Sequence, residues 1–124
     1  RRDGFAPAVD VTALTGNDGF RIAGVAGGDV AGTAVAGIGD FNGDGIADFA
    51  VGASAAPSGS LAPGATYVVF GRADGFAADL NLGALNGENG FRLDGVGNYD
   101  SSGRAISGAG DVNGDGFDDL LIGA

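Results

Sequence analysis

Short runs of apolar residues alternate with polar, turn-forming stretches along the whole chain. Residues 65–71 (A-T-Y-V-V-F-G) are mostly β-branched or aromatic and predict a strand that is buried on both faces. Residues 33–39 (T-A-V-A-G-I-G) are apolar but small, which suits a strand where backbones crowd together. Strands are predicted in this way at residues 19–24, 33–39, 48–53, 65–71, 90–95, 104–110 and 117–123. The stretches between them predict loops, with at most a short helical turn within the turn-rich residues 72–89.

The chain contains an ungapped repeat of 71 residues. When residues 1–53 are laid on residues 72–124, 26 of the 53 positions are identical. The identical positions include most of the glycines and the acidic residues of two matching loops. The chain therefore holds one complete unit and most of a second, and the structure predicted for one unit is expected again in the other.

Each unit offers four short strands, which is the pattern of one blade of a β-propeller. We therefore predict an all-β fold of four-stranded antiparallel blades that form an incomplete ring. Residues 1–24 would be an outer strand and the lead-in of a preceding blade, 25–96 a complete blade, and 97–124 the first half of a further blade. Because so few blades cannot close a ring, the remaining blades would come from a longer parent chain or from homo-oligomerisation.

Two acidic loops carry the clearest functional pattern: residues 40–48 (D-F-N-G-D-G-I-A-D) and 111–119 (D-V-N-G-D-G-F-D-D). Oxygen-bearing side chains occupy positions one, three, five and nine, and glycines at four and six let the backbone curl. With the backbone carbonyl at position seven, and with waters or bidentate carboxylates, each loop could supply the roughly six to eight oxygens that Ca²⁺ accepts. The candidate ligands are Asp40, Asn42, Asp44, Ile46 and Asp48 in the first loop, and Asp111, Asn113, Asp115, Phe117 and Asp119 in the second. We predict one Ca²⁺ site in each loop.

An EF-hand and a plain hairpin turn are the two alternatives to this interpretation of the loops. An EF-hand shares the D-x-N-x-D-G start, but it needs a bidentate Glu at position twelve, where this chain has Val51 and Ile122. The segments on both sides of each loop also predict strands and not helices. A plain hairpin turn remains open, since Asn-Gly and Asp-Gly are strong turn signals. Such a turn would need neither Asp40 nor Asp48.

The net charge of the chain limits the classes of molecule that it can bind. Sixteen acidic residues against six basic ones give a net charge of −10. Nucleic acid is an unsuitable partner, because affinity for it depends on Lys and Arg that neutralise phosphates. Anionic membrane surfaces are disfavoured for the same reason, and no apolar run is long enough to predict membrane insertion. Six of the sixteen acidic residues occupy the candidate ligand positions, so part of the charge is explained by metal binding.

The absence of Cys and His from the sequence excludes several kinds of chemistry. A disulfide framework, a thiolate or imidazole metal site, a Cys nucleophile and a Ser-His-Asp triad are all impossible. Paired carboxylates for glycoside hydrolysis could be imagined, but spacing alone does not support them. We predict that this chain is not an enzyme.

Three groups of residues carry a resemblance to a known family. V-V-F-G at residues 68–71 resembles the F-G element of FG-GAP repeats, the repeats of integrin alpha subunits and related bacterial proteins. V-G-A at 51–53 and I-G-A at 122–124 resemble the G-A-P element, with Ser54 where Pro is usual. The two D-x-N-G-D-G-x-x-D loops resemble the calcium-binding hairpins of the family. The resemblance covers essentially the whole chain and implies a β-propeller with Ca²⁺ bound between the first two strands of a blade.

The resulting prediction is a calcium-binding FG-GAP repeat module with a structural, adhesive or protein-interaction role, extracellular or at the cell surface. Its partner would be a protein or a glycan that the sequence does not name. The alternative is an accessory propeller segment of a secreted enzyme that acts on polysaccharide or another extracellular substrate.

Overall fold

The computed structural model describes residue 4 and residues 6–124, and it shows an all-β chain. Its strands are β1 (Arg21–Ala23), β2 (Ala31–Gly39), β3 (Asp48–Ala53), β4 (Ala65–Val69), β5 (Asp79–Asn81), β6 (Gly90–Asp94), β7 (Ala105–Gly110) and β8 (Asp119–Gly123). Short 3₁₀ helices lie at Val11–Ala13 and Leu82–Ala84. Within the described ranges, no helix is long and apolar enough to cross a membrane.

A four-stranded sheet with the order β2-β3-β4-β6 forms the centre of the molecule. All of its pairings are antiparallel, as predicted for one blade. All five residues of β4 are buried, which confirms the prediction from the β-branched and aromatic run at residues 65–71. The small-residue strand β2 lies at one edge of this sheet and the repeat of the first predicted strand, β6, at the other.

The β7–β8 hairpin repeats the β2–β3 hairpin, including an irregularity at the same place. Gly39 pairs with Asp48 after a register shift, and Gly110 pairs with Asp119 after the equivalent shift. The two glycines have φ of 69° and 68°, a conformation that residues with a Cβ rarely adopt. Each hairpin therefore enters its acidic loop through a glycine bulge that the sequence repeat preserves.

The region around β1 differs from the prediction. The strand predicted at residues 19–24 is only three residues long, and it pairs in parallel with β5. β5 lies in residues 72–89, which were predicted to contain no strand, so that prediction was wrong. The pairing is held by contacts between residues far apart in the sequence. The Arg21 amide donates to the Ala78 carbonyl, and Arg21 Nε donates to Asp79 Oδ1, each at a distance of 2.8 Å. A three-residue polar segment that becomes a strand through such contacts has no local pattern to reveal it.

Different parts of the chain pack on the two faces of the four-stranded sheet, and on the first face they cover only a part of it. One face contributes Val51, Tyr67 and Val69 to a cluster completed by Leu82 from the segment after β4. The other face contributes Ile38, Ala50 and Val68, against which residues of the β7–β8 hairpin pack, including Ile106 and Leu120. The second hairpin thus lies on the sheet face opposite to the Leu82 side.

Two phenylalanines at repeated positions belong to the packing between segments. Phe20 stacks on Phe76 with ring centroids 4.6 Å apart. Phe91 lies between Phe41 and Phe70, at centroid distances of 5.9 and 6.0 Å. Both rings are half-buried. Their contribution is therefore core packing, which aromatic pairs stabilise beyond the area that they bury.

Candidate metal centres

The two acidic loops are hairpin connections of the same shape. We call residues 40–48, which join β2 and β3, loop 1, and residues 111–119, which join β7 and β8, loop 2. The glycines at the fourth and sixth positions of both loops have φ between 77° and 93°. Because a Cβ disfavours this conformation, glycine at these positions allows each loop to curl as predicted.

Backbone N–H groups hold the side chains of loop 1 toward its interior. The Asp44 amide donates to Asp40 Oδ1 (2.9 Å) and to Asn42 Oδ1 (3.1 Å). The Gly45 amide donates to Asp40 Oδ2 (2.9 Å), and the Ile46 amide donates to Asp44 Oδ1 (2.8 Å). Since one N–H contacts oxygens of both Asp40 and Asn42, the side chains at positions one and three converge on the same side of the loop.

Loop 2 makes the same hydrogen bonds at the equivalent positions. The Asp115 amide donates to Asp111 Oδ1 and to Asn113 Oδ1, both at 3.0 Å. The Gly116 amide donates to Asp111 Oδ2, and the Phe117 amide donates to Asp115 Oδ1, both at 2.9 Å. The N–H of Gly116 is the largest cause of a lowered pKa of Asp111, so this carboxylate is held in its charged form.

The carboxylate at position nine is placed differently in the two loops. Asp48 is 2% exposed, and its Oδ2 accepts from the amides of the second and third residues of loop 1 at 2.8 and 3.2 Å. Its Oδ1 accepts from the Gly71 amide at 2.7 Å, which ties loop 1 to the end of β4. Asp119 is half-buried, and its Oδ2 accepts from the amide of the second residue of loop 2 at 2.8 Å. Position nine therefore closes each loop on itself, and in loop 1 it also joins the loop to the sheet.

The residues at position seven, whose carbonyls were predicted as ligands, are anchored through their side chains. Ile46 is half-buried and lies against Gly71, where a Cβ would collide with the Ile46 side chain and the backbone of Ala47. Phe117 is 46% exposed, and its ring lies over Gly43 of loop 1. These contacts fix the backbone at position seven, and the role of its carbonyl stays a prediction.

The donor set fits Ca²⁺ by its chemistry. The candidate ligands of each loop are three carboxylates, one carboxamide and a backbone carbonyl, which are the hard oxygen ligands that Ca²⁺ prefers. In residues 4 and 6–124, no group of three or more acidic, His or Cys side chains lies close enough together to form a metal cluster. The carboxylates accept amide hydrogens instead, as expected for like charges that would repel one another at a common point. A cation at the loop centre would draw these oxygens together.

Loop 2 contacts loop 1 directly through a residue outside the predicted ligand set. Asp118, at position eight of loop 2, accepts a hydrogen bond at its Oδ2 from the Asp40 amide (2.9 Å). A Cβ on Gly39 would collide with this carboxylate, and a Cβ on Gly43 would collide with the Phe117 ring. Gly39 at the end of β2 and Gly43 in loop 1 therefore also make room for loop 2.

Asp118 is the residue that sequence analysis missed. Its signal was a break in the repeat: position eight is Ala47 in loop 1 and Asp118 in loop 2, within loops that match at positions one, three to six and nine. A difference between repeats shows no role by itself, because it can equally be neutral surface variation. Only the packing of one hairpin on the other shows what this carboxylate contacts.

A polar cavity of about 360 Å³ adjoins loop 1. Asn42 and Asp44 line one side of it, and the segment after β4 and a loop before β6 line the rest, including Arg72 and Asn89. The guanidinium of Arg72 is paired with Asp74 at 2.9 Å. Candidate ligands at positions three and five of loop 1 are therefore open to solvent, through which an ion and its waters could enter.

The fold and the loops together define a class of protein: a repeat of blade-like antiparallel sheets in which the first hairpin of each unit carries an oxygen-rich loop. Comparison with known sequences agrees with this class. A family model described as FG-GAP repeat matches residues 31–69 and 102–124, which include both hairpins. The chain belongs to the FG-GAP repeat family.

A curated relative extends the likeness beyond the hairpins. The chain is 41% identical over 93 residues to a Caenorhabditis elegans protein named Integrin alpha pat-2. The match covers 75% of this chain and 7% of the relative, so this chain spans only a small part of the length of the protein that it resembles. The likeness therefore concerns the repeat units, and not the whole of that relative.

Proposed function

We propose that this chain is a calcium-binding module of FG-GAP repeats with a structural, adhesive or protein-interaction role, extracellular or at the cell surface. The observation that carries the proposal is that loops 1 and 2 hold their oxygen donors with the same hydrogen bonds at equivalent positions. A plain turn would not need the same four oxygen-bearing positions in both units. Membership of the FG-GAP family and the integrin alpha relative support the adhesive or interaction role.

Each loop would hold one Ca²⁺ through five of its residues. The proposed ligands are Asp40, Asn42, Asp44, the Ile46 carbonyl and Asp48 in loop 1, and Asp111, Asn113, Asp115, the Phe117 carbonyl and Asp119 in loop 2. Two divalent ions would change the net charge from −10 to −6, because each adds two positive charges. The ions would thereby relieve the repulsion among carboxylates that the loops concentrate.

The structural benefit of an ion follows from the composition of the hairpins. β2 is built mainly of glycine, alanine and other small residues, and most of its side chains are not buried. It therefore contributes little side-chain packing of its own. An ion that joins the two ends of a loop would restrain β2 against β3 where packing is weak.

Calcium titration of the chelator-treated chain tests this proposal. We expect two ions to bind in isothermal titration calorimetry and the melting temperature to rise with Ca²⁺, since a ligand of the native state stabilises it. Asp44→Ala should reduce the stoichiometry to one ion. The exposed carboxylate of Asp79, which pairs with Arg21, offers a control: Asp79→Ala should retain both sites. An unchanged melting temperature with no heat of binding would refute the proposal.

Two exposed apolar faces of the hairpins support our proposal that further blades pack against this chain. An apolar cavity of about 360 Å³ lies on one face of the first hairpin, lined by Val35, Phe49 and Val51 among others. On the second hairpin, Leu121 is 62% exposed. Within the described chain, the β7–β8 hairpin already covers the opposite face of the first hairpin, through Ile106 among others. The open faces would be covered by blades of a longer parent chain or of other copies, and the mass in solution would distinguish a monomer from an oligomer.

The binding partner would be a protein or a glycan, and the loop at residues 95–104 offers one candidate contact. Tyr99 in this loop is 82% exposed and has φ of 66°, in the left-handed region. An exposed aromatic side chain on a loop is suited to contact another molecule, because it offers a rigid apolar surface with a polar tip.

A further inference from the structure

The two loops are neighbours, and their contact uses the positions at which the repeat differs. Position eight is Ala47 in loop 1 and Asp118 in loop 2, and position seven is Ile46 in loop 1 and Phe117 in loop 2. Asp118 accepts from the Asp40 amide at 2.9 Å. The contact therefore joins position eight of one loop to position one of the other, which is itself a proposed ligand.

We propose that Asp118 is a positioning residue that couples the two calcium sites, so that an ion in loop 2 raises the affinity of loop 1. This inference rests on the proposed function, because it requires both loops to bind Ca²⁺. It goes further by assigning a role to a residue outside the D-x-N-G-D-G-x-x-D pattern.

Asp118 lies between two proposed ligands of loop 2. Its two neighbours, Phe117 and Asp119, are both proposed ligands of the ion in loop 2. An ion held by both neighbours would restrict the backbone from which the Asp118 carboxylate and the Phe117 ring reach loop 1. Loop 1 would then bind its own ion with less loss of conformational freedom, which is positive cooperativity.

The Asp118 side chain also adds a negative charge next to loop 1. The Asp118 carboxylate lies at the backbone of Asp40, beside a loop that already carries three carboxylates. Asp118 is half-buried, so solvent screens its charge only in part. A fourth negative charge at this place raises the affinity of loop 1 for a cation.

The side chains that make this contact come from loop 2. Gly39, just before loop 1, and Gly43 are each close enough to Asp118 or Phe117 that an added Cβ would collide with them. In loop 2, an added Cβ on the equivalent Gly110 or Gly114 would meet no described atom within 4 Å. Loop 2 therefore supplies the carboxylate of this contact, whereas loop 1 carries Ala47 at the equivalent position, although the coupling between the two binding equilibria is reciprocal.

A double-mutant cycle read by NMR tests the coupling. The amide signals of Gly45 and Gly116 would follow Ca²⁺ binding to loops 1 and 2 separately. Asp115→Ala, which removes a ligand of loop 2, should weaken Ca²⁺ binding at loop 1 by about fivefold, the lower end of typical coupling between sites. In the Asp118→Ala background, the effect of Asp115→Ala on loop 1 should be smaller, because only the Phe117 ring and the Asp118 amide, which donates to the Asp40 carbonyl at 3.4 Å, still contact loop 1.

Matched variants separate this inference from its alternatives. Asp118→Ala gives loop 2 the residue that loop 1 already has at position eight, so the hairpin should still fold, as the amide spectrum will show. Asp118→Asn keeps an oxygen that can accept from the Asp40 amide; it should retain the coupling while lowering the affinity of loop 1. Asp79→Ala should change neither affinity, since this carboxylate is exposed and pairs with Arg21.

Each outcome decides between the two proposals. The coupling is overturned if both loops bind Ca²⁺ and Asp115→Ala leaves loop 1 unaffected, or if the effect of Asp115→Ala is equally large without the Asp118 side chain. If neither glycine signal responds to Ca²⁺, the proposed function itself fails, and the coupling fails with it.

Discussion

Loops 1 and 2 have the same local structure in different surroundings. Both curl through glycines at positions four and six, and both hold the first and third side chains on the amide of position five. Loop 1 is tied to a complete sheet through the Gly71 amide and is contacted by loop 2. The described chain around loop 2 offers fewer such contacts. The comparison teaches that local sequence determines the shape of these loops, whereas the surrounding sheet determines how much each residue stabilises the fold.

The largest difference in stability between variants of loop 1 and variants of loop 2 is expected at position nine. Asp48→Ala would leave three backbone N–H groups without their carboxylate, at a site that is 2% exposed. We expect it to lower the free energy of unfolding by about 3 kcal/mol, and Asp119→Ala to lower it by about 1 kcal/mol, because buried donors left unpaired are costly. Urea unfolding in the presence of a chelator would measure both values without the contribution of Ca²⁺.

Asp48→Asn is the matched control for this prediction, since it keeps one oxygen acceptor of similar shape. It should cost less than Asp48→Ala. Equal losses from Asp48→Ala and Asp119→Ala would show that the surroundings of the two loops do not matter for position nine.

The next difference is expected at a repeated glycine of the two hairpins. A Cβ on Gly52 would collide with the backbone carbonyl of Gly103, where the second hairpin passes the sheet. A Cβ on the equivalent Gly123 would meet the Ala105 Cβ at 3.1 Å, a contact that small shifts can relieve. We expect Gly52→Ala to lower the free energy of unfolding by about 2 kcal/mol and Gly123→Ala by less than about 1 kcal/mol, since overpacking against backbone is hard to relax.

Thermal melting of these two alanine variants would check this order. Because the φ of Gly52 is not in the positive region, a loss at this position would report packing and not backbone strain. A larger loss from Gly123→Ala would contradict the packing of the second hairpin on the first.

The smallest difference concerns how the free energy of unfolding depends on pH at Asp29, which precedes β2, and at its repeat equivalent Asp100. Asp29 is 6% exposed and accepts from the amides of Val25, Ala26 and Ala31 at 2.9–3.1 Å. Burial raises its pKa, but the amide hydrogen bonds outweigh burial, and the pKa is lowered below its ordinary value of 3.8. A lowered pKa in the folded state means that this carboxylate stabilises the fold above about pH 4 and loses that effect as the pH falls further.

We therefore expect Asp29→Asn to lower the free energy of unfolding by roughly 1 kcal/mol at neutral pH. At pH 3 the free energies of unfolding of the variant and of the unchanged chain should differ by less. Asp100→Asn, at the equivalent exposed position, should have a smaller effect. Unfolding curves between pH 3 and 7 would measure both. A gap between Asp29→Asn and the unchanged chain that stays constant across this range would contradict the role given to the charged carboxylate.

Much of the fold could be predicted because the local pattern and the tertiary environment agree. The strand predicted at residues 48–53 coincides with β3, and the prediction of a fully buried run at 65–71 holds for all of β4. The shape of the acidic loops was also predictable, since Asp, Asn and Gly in this order form turns through their own side chains. The binding of Ca²⁺ to them stays a prediction.

Other features had no local signal. β5 exists because Arg21 and its neighbours reach a polar segment more than fifty residues away, as the Arg21–Asp79 pair shows. Tyr99 has a left-handed backbone, which its own residue type disfavours, but its repeat partner Gly28 has φ of 82° in the same loop position. The repeat could have indicated this conformation, although the residue type alone could not.

Local sequence determined the strands of the hairpins, the curled loops and the positions of their oxygen donors, because glycine conformations and side-chain-to-amide hydrogen bonds act over a few residues. Only the tertiary structure decided that Asp48 is buried, that Gly71 joins loop 1 to the sheet, and that Asp118 contacts Asp40. These features depend on which face of one hairpin lies on another. Packing of that kind is set by the whole chain, since each sheet face is covered by residues far away in the sequence.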